Sequence, residues 1–273
     1  MEILAIGIDP DNDFMDNPYA PMAVPGANAD MDRMALFIER KIEEINELVI
    51  FIDGHKPVHV ASGITWVDKR GKHPSHGTMI FYRDVESGLW TTTNPDWREK
   101  GLIYTRQLDA PGKYPLCIWN QHCLEGSVGQ AIQDNLYNAL KNWSEKNLKL
   151  VDYMYKPSDV WVEYLGGLVP EAEVKEPGVK HIDYVQRLLR KIRKADIVIF
   201  FGEASSHCFR ITINQILARL GKEHYKKLVL FLDCTSPIPA IPNGPDFPAI
   251  TNKWFMEMEK LGLTLTTSTQ FLT

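Results

Sequence analysis

The sequence predicts an α/β fold of three layers, in which a mainly parallel six-stranded sheet lies between two layers of helices. Short apolar runs alternate with amphipathic helical segments along the chain, and this alternation is typical of a parallel sheet. The apolar runs are continuous, as expected of strands that helices cover on both faces. With 273 residues, no internal repeat and no low-complexity linker, residues 1–273 are predicted to form one domain.

The predicted elements follow one another in a regular order. Strands are predicted at residues 3–8, 48–52, 116–119, 148–155, 196–201 and 228–232. Helices are predicted at about residues 31–47, 129–146, 182–192, 209–220 and 254–261, where apolar residues recur on one face. A Pro-rich loop is predicted at 235–248, in a tail whose role is structural. Residues 56–115 are predicted to form an irregular insertion of loops and a hairpin, with a turn at 68–71. The part of this insertion from 62 to 115 is interpreted as a lid or a subunit contact.

Composition excludes several classes of protein. The formal net charge is −5 without a basic run, so a nucleic-acid partner is not expected. No apolar run approaches the roughly 18 residues of a membrane span. The N-terminus lacks a basic leader, and the four cysteines form no CxxC pair, so a reducing, cytoplasmic location is expected. A homo-oligomer is possible from the sequence, which identifies no interface.

Chemically active side chains follow the predicted strands. Asp9, Asp53, His122, Lys156 and Cys208 each come after an apolar run. Ligands of open α/β sheets bind beyond the carboxyl ends of the strands, so these residues are expected to meet in one place. This set of groups can support covalent amide hydrolysis beside a metal.

Cys208 lies between a predicted strand and a predicted helix. A thiolate at a helix N-terminus is stabilised by free backbone N–H groups, which can also hold an oxyanion. Asp9 can take the thiol proton, and Lys156 can stabilise negative charge. The alternatives are a buried packing cysteine, a turn aspartate and a surface lysine. Asp11 is interpreted as a turn-capping residue.

A metal site is predicted from Asp53, His55 and His122. One carboxylate and two imidazoles suit zinc, manganese or iron, and they leave positions open for water or substrate. The spacing alone is not diagnostic, because Asp-x-His pairs also occur by chance. Three further histidines are interpreted as loop or surface residues: His59, His73 and His76.

Five segments, in the right order over roughly residues 3–235, resemble the nicotinamidases within the isochorismatase-like cysteine hydrolases. DPDNDF at 9–14 is similar to the family's Asp-x-Gln-x-Asp-Phe. AVPGA at 23–27 matches the family's Ala-Val-Pro-Gly-Ala. DGH at 53–55 resembles the Asp-x-His metal pair. WNQHCLEGSVG at 119–129 resembles Trp-Pro-x-His-Cys-Val-x-Gly-Thr-x-Gly, and GEASSHC at 202–208 resembles Gly-x-Ala-Thr-Asp-Tyr-Cys.

The resemblance implies a role for each matched residue. Cys208 is the nucleophile, and Asp9 and Lys156 complete a catalytic triad. The metal ligands are Asp53, His55 and His122, and the fold is isochorismatase-like.

It also implies a non-proline cis peptide at Glu203–Ala204. The backbone N–H groups of Ala204 and Cys208 would hold the oxyanion, and Phe14 and Trp66 would form the substrate wall.

The implied reaction converts nicotinamide to nicotinate and ammonia through a thioester, with one divalent transition metal, chiefly zinc. Asp11, Asn120 and the Ser206–His207 pair depart from the family pattern and leave the substrate open. The alternatives are a cysteine hydrolase of carbamoyl, ureido or other small amides, and a catalytically silent binding protein. Slow alkylation of Cys208 by iodoacetamide would favour the silent protein, because a low thiol pKa predicts fast reaction.

Overall fold

The computed structural model describes residues 1–110, 113–174, 184–241 and 244–272. The strands of the described residues are β1 Ile3–Ile8, β2 Ile45–Ile52, β3 Trp66–Asp68, β4 Met79–Ile80, β5 Trp90–Thr92, β6 Leu116–Cys117, β7 Asp152–Tyr155, β8 Val162–Glu163, β9 Ala172–Glu173, β10 Ile197–Gly202, β11 Leu228–Phe231 and β12 Thr264–Thr266. The α-helices are α1 Ala27–Arg40, α2 Tyr82–Glu86, α3 Arg98–Leu108, α4 Asp134–Asn147, α5 Val185–Lys194, α6 Cys208–Leu217 and α7 Phe247–Lys260.

A six-stranded, wholly parallel sheet forms the middle layer. Its strand order is β12-β11-β10-β1-β2-β7, so the chain starts in the centre of the sheet. The carboxyl ends of the four strands nearest the site are in register, since Ile8 pairs with both Gly202 and Phe51, and Ile52 pairs with Tyr155. This register brings the loops after these four strands to one edge.

Helices cover both faces of the sheet. Side chains that alternate along the strands divide between two apolar clusters: Ile3, Ala5 and Ile50 pack against α1 and α4, whereas Leu4 and Ile6 face α5, α6 and α7. Every residue of β1 is buried, which explains its continuous apolar sequence. The predicted three-layer α/β/α architecture with six parallel strands is confirmed.

The predicted strand at 116–119 is wrong as a member of this sheet. Only Leu116–Cys117 is extended there, and it pairs antiparallel with β4. Leu116 and Ile118 are apolar because they pack into a separate core of the insertion. The sixth place is taken by β12, whose Thr-Leu-Thr sequence at a sheet edge lacks the apolar run of a buried strand.

Several predicted helix boundaries also change: the helix predicted from 129 begins at Asp134, and the one predicted at 254–261 spans Phe247–Lys260. The helix predicted at 31–47 spans Ala27–Arg40, and Ile45 instead begins β2 opposite Ile3. A turn separates the two elements at 41–44, so the apolar period continues across it only by coincidence. The start of the helix predicted at 182–192 lies outside the described residues, as does part of the loop predicted at 235–248.

The insertion is more regular than the sequence predicts. Between residues 56 and 110 it contains α2 and α3, and β3 pairs antiparallel with β5. The predicted turn at 68–71 is present, with the Gly71 N–H donating to the Asp68 carbonyl at 2.9 Å. Trp66, Tyr104 and Trp161 fill its core, which continues into the segment after β7. A role as lid or subunit contact stays a prediction. None of the helices in the described ranges is long and apolar enough to cross a lipid bilayer.

Candidate active site

Backbone hydrogen bonds bring the ends of four strands together. The N–H of Asp9 donates to Phe51 at 3.1 Å, and the N–H of Lys156 donates to Ile52 at 3.0 Å. On the other side of β1, Glu203 N–H donates to Ile8 at 2.8 Å. The polar residues that follow these strands therefore lie beside one another, as the sequence predicts.

A glycine allows β10 to turn toward Cys208. Gly202 has φ of 113°, a conformation that favours glycine, and a Cβ there would lie 2.0 Å from the Ile8 carbonyl oxygen. The peptide between Glu203 and Ala204 is cis, as predicted. The chain then enters α6, which begins at Cys208.

Asp9, Lys156 and Cys208 form one cluster. Asp9 is fully buried, and its Oδ2 accepts a hydrogen bond from the Lys156 ammonium. Lys156 is 4% exposed and also lies 3.4 Å from Asp53 Oδ1. The Cys208 thiol interacts with both Asp9 and Lys156, while its partly exposed side chain borders a cavity. Three residues that are distant in sequence can thus share a proton.

Burial controls the protonation of this cluster. Burial raises the pKa of Asp9 to about 6, although the Lys156 charge acts in the opposite direction. Burial also raises the pKa of the Cys208 thiol well above its usual range, and Lys156 offsets this only in part. Burial thus opposes the low thiol pKa expected from the sequence, so slow alkylation of Cys208 would not by itself indicate a catalytically silent protein. The Asp9 carboxylate is the acceptor that lies beside the thiol.

Two backbone donors are available beside the sulfur. Within the described residues, no hydrogen bond engages the N–H of Ala204 or that of Cys208. The neighbouring N–H groups are used, since His207 and Phe209 both donate to the Ala204 carbonyl. The turn therefore leaves two free donors where an oxyanion would form.

Asp53, His55 and His122 converge on a second point. His55 Nδ1 lies 3.3 Å and His122 Nε2 lies 3.4 Å from the same oxygen, Asp53 Oδ2. All three side chains are buried, and their ligand atoms lie within 4.8 Å of one another. His55 Nδ1 is buried without a hydrogen-bond partner among the described residues. One carboxylate and two imidazoles aimed at one point fit a divalent transition metal.

His122 reaches this point from outside the central sheet. It follows the short strand β6, and its loop is held by the His55 N–H, which donates to the Cys123 carbonyl at 3.0 Å. The prediction that His122 follows a strand of the main sheet is therefore wrong. The parallel bridge between His55 and Leu124 replaces the expected strand pairing.

A partly enclosed cavity joins the two clusters. It is bordered by Cys208 on one side and by the three candidate metal ligands on another. Its other walls are mainly apolar and include Phe14, Met22, Val24, Trp119, Leu165 and Ile238, together with Glu163, Tyr164 and His207. Phe14 also contacts the edge of the His122 ring, at 5.5 Å between centroids. A larger open cleft of about 790 Å³, between α6, α7 and residues 169–171, contains none of this chemistry.

Trp66 does not line the cavity, so its prediction as a substrate wall is wrong. It is fully buried in the core of the insertion, where its indole N–H donates to the Val60 carbonyl at 2.7 Å. Trp119, the last residue of the strand predicted at 116–119, borders the cavity instead.

Comparisons with known proteins support the fold. No protein-family model matches the sequence, and no curated protein matches it significantly. Among solved structures, the yeast nicotinamidase bound to the inhibitor nicotinaldehyde has a TM-score of 0.62 and 17% identity, over 97% of this chain and 99% of that one. The fold of this chain is that of the nicotinamidases.

Two further structures agree with this assignment. The pyrazinamidase of Pyrococcus horikoshii in complex with zinc has a TM-score of 0.56 and 17% identity, over 98% of this chain and 99% of that one. The N-carbamoylsarcosine amidase of Thermoplasma acidophilum has a TM-score of 0.50 and 14% identity, with both chains fully covered. At such identities, the nicotinamidase fold is what the comparisons establish.

The structure adds residues that the sequence reasoning missed. The interpretation of His59 as a loop or surface residue is wrong about its exposure, and the sequence analysis does not single out Glu163; both side chains are buried beside His55. The interpretation of Asp11 as a turn cap is wrong, because its side chain caps no helix, is fully buried, and accepts from the Asp53 N–H at 3.3 Å through Oδ2. Only the position of Asp11, two residues beyond Asp9, could have signalled this role. Nothing in the local sequence marks Glu163.

Proposed function

We propose that this protein is a metal-containing cysteine amidohydrolase that converts nicotinamide to nicotinate and ammonia, a step of NAD salvage. The observation that carries the proposal is the single cavity bordered by both Cys208 and the Asp53–His55–His122 set. Either cluster alone is compatible with several functions. Together they provide a nucleophile and an orienting site for one small amide.

The first half of the reaction uses Asp9 as a base and then as an acid. Its carboxylate takes the Cys208 proton while the sulfur attacks the carboxamide carbon, and the carbonyl electrons move to the oxygen. The N–H groups of Ala204 and Cys208 stabilise this oxyanion, each contributing about 3–4 kcal/mol. The C–N bond then breaks, the nitrogen receives the proton from Asp9, and ammonia leaves a thioester.

The second half repeats the proton transfers with water. Asp9 takes a proton from a water molecule that attacks the thioester carbon. The C–S bond breaks, the sulfur regains a proton from Asp9, and nicotinate is released. Lys156 remains charged throughout, because Asp53 and Asp9 raise its pKa well above the usual value despite its burial. Its charge holds Asp9 in place beside the sulfur.

The metal set has a separate task in this proposal. Bound at Asp53, His55 and His122, a divalent ion such as zinc, manganese or iron would supply a Lewis acid for the ring nitrogen of the substrate. The His122 ring is held by its Nδ1, which donates to the Asn120 carbonyl at 2.7 Å. Fixed ligands keep the ring in one orientation relative to the sulfur.

The lining of the cavity favours a neutral aromatic amide. Among the described residues that border it there is no lysine or arginine, and the acids Asp53 and Glu163 are present. A substrate carboxylate, such as that of an N-carbamoyl amino acid, would face two acids, Asp53 and Glu163, across a mainly apolar cavity. Phe14 and Trp119 offer aromatic surface to a planar ring.

Ammonia release tests the proposal directly. Purified protein is incubated with nicotinamide, pyrazinamide or an N-carbamoyl amino acid, alongside the Cys208→Ala variant and with the metal content measured. We expect hydrolysis of the two aromatic amides, no turnover by Cys208→Ala, and one metal per chain. Turnover of the carbamoyl compound alone, by a protein without stoichiometric metal, would support the alternative amidase and overturn the proposal. Equal activity in both proteins would remove the covalent mechanism.

A further inference from the structure

The two ring nitrogens of His55 face different carboxylates. Nδ1 points toward Asp53 Oδ2 at 3.3 Å, on the side where His122 also converges. Nε2, on the opposite side of the ring, lies 3.5 Å from Glu163 Oε2. We propose that Glu163 is a positioning residue of the metal site: it accepts the Nε2 proton of His55 and thereby leaves the Nδ1 lone pair for the metal. This inference rests on the metal set of the proposed function.

His59 cannot serve Glu163 as a donor in its observed state. Its Nε2 lies 2.8 Å from the Val162 carbonyl oxygen, which can only accept, so this nitrogen carries the proton. Its Nδ1 accepts the Ala61 N–H at 3.2 Å, so that nitrogen carries a lone pair. Glu163 Oε2 lies 3.3 Å from this Nδ1 atom, which has no proton to donate. Of the two imidazoles that face the carboxylate, only His55 can donate to it.

Glu163 is held where this contact requires it. It belongs to β8 and is 7% exposed, and its carbonyl accepts the Glu171 N–H at 3.0 Å. By the geometric criteria of a hydrogen bond, its Oε2 is buried and unpartnered. A buried carboxylate oxygen without a donor is costly, and His55 Nε2, 3.5 Å away, is the ring nitrogen that can donate to it.

The second imidazole of the site has an equivalent support. His122 Nδ1 donates to the Asn120 carbonyl at 2.7 Å, which leaves its Nε2 facing Asp53. Each metal-facing imidazole therefore has an acceptor behind it, a backbone carbonyl in one case and Glu163 in the other. Such acceptors fix the tautomer and the ring orientation, and their loss typically lowers metal affinity about 10–100-fold. Because Glu163 lies at the far nitrogen of His55, it acts through that ring and not as a ligand.

Zinc affinity and the state of the His55 ring test this role without any substrate. Zinc is removed by chelation and titrated back against a coloured competing chelator, for the natural protein, Glu163→Gln and Glu171→Gln. Glu171 is the matched control, since it is a glutamate of the same segment that borders the separate cleft beside α6. We expect a zinc dissociation constant about 10–100 times larger for Glu163→Gln, and within about twofold of natural for Glu171→Gln.

Ring-nitrogen NMR of the zinc-loaded natural protein gives a second answer that needs no variant. We expect the proton of His55 on Nε2, with slow exchange that becomes fast in Glu163→Gln. Unchanged zinc affinity, or a proton on Nδ1, would overturn the inference. So would complete loss of zinc as in Asp53→Ala, which would make Glu163 a ligand, or two zinc ions per chain, which would indicate a second site at His55, His59 and Glu163. Failure to hydrolyse nicotinamide would refute the proposed function and leave these measurements unaffected.

Discussion

Replacing Lys156 by methionine isolates the role of the buried cation. The Lys156 side chain is 2% exposed, contacts Asp9, and lies 3.4 Å from Asp53 Oδ1. At that distance and an effective dielectric constant near 20, one such attraction is worth about 5 kcal/mol before desolvation is counted. Removing one partner of a buried ion pair costs about 3–5 kcal/mol, because the remaining charge stays buried. Lys156→Met should therefore lower the free energy of unfolding by about this amount at pH 8.

The pH dependence of this loss has a definite sign. Burial raises the folded-state pKa of Asp9, and Lys156 holds it down, so removal of the lysine raises it further. A carboxyl whose folded pKa exceeds its unfolded pKa destabilises the fold at high pH, and the penalty disappears as pH falls through the folded pKa. The deficit of Lys156→Met should thus be largest at pH 8 and smaller at pH 5.

Urea denaturation followed by circular dichroism at the two pH values measures this effect. Lys191→Met is the matched control, since Lys191 also contacts two acids, Glu47 and Asp152, but its side chain is 25% exposed. Exposed pairs contribute about 0–1 kcal/mol, so the control should lose no more than that. Equal losses in the two variants, or a Lys156→Met deficit that grows toward pH 5, would refute the reasoning.

Three further predictions concern the reaction and the metal site. The proposed mechanism needs an ionised Asp9, whose pKa is about 6, so kcat/KM for nicotinamide should fall about tenfold per pH unit below that value. At pH 8, Asp9→Asn should lower kcat/KM about 10²–10⁴-fold. A pH profile that stays flat down to pH 4.5 would contradict this prediction. Burial raises the pKa of the Cys208 thiol, so iodoacetamide should alkylate it slowly at pH 7 and faster as pH rises, as followed by mass spectrometry. Rapid alkylation at pH 6 would show that the thiolate forms without Asp9. Chelation should lower the unfolding temperature of the natural protein, zinc should restore it, and Asp53→Ala should respond to neither, because bound metal stabilises only the folded state.

Much of the fold could be predicted from local patterns. The continuous apolar runs of β1, β2, β10 and β11 identify buried parallel strands, because only strands covered on both faces need them. Predicting strands from continuous apolar runs fails where helices do not cover both faces of the strand. It misses β12, an edge strand of alternating polarity, and it selects residues 116–119, whose apolar side chains pack in the insertion.

The positions of the candidate site residues could likewise be predicted only in part. Residues directly after the strands of the main sheet could be placed in advance, since parallel strands end at one edge; Asp9, Asp53 and Lys156 are examples. His122 lies near them for a different reason, a bridge between its loop and His55. Trp66 could not be placed, because nothing in its sequence distinguishes a cavity wall from the core of the insertion.

By itself, the sequence determined the three-layer architecture, the strand ends where polar groups gather, and the residue types that can carry amide hydrolysis. Those properties are local, because they follow from the period of apolar residues and from the chemistry of single side chains. The tertiary structure decided which groups are buried and which lie beside one another: the buried thiol of Cys208, whose pKa is raised, the buried Asp11, and Glu163 behind His55. Those outcomes depend on burial and on contacts between distant segments, and no local pattern contains the sum of such interactions.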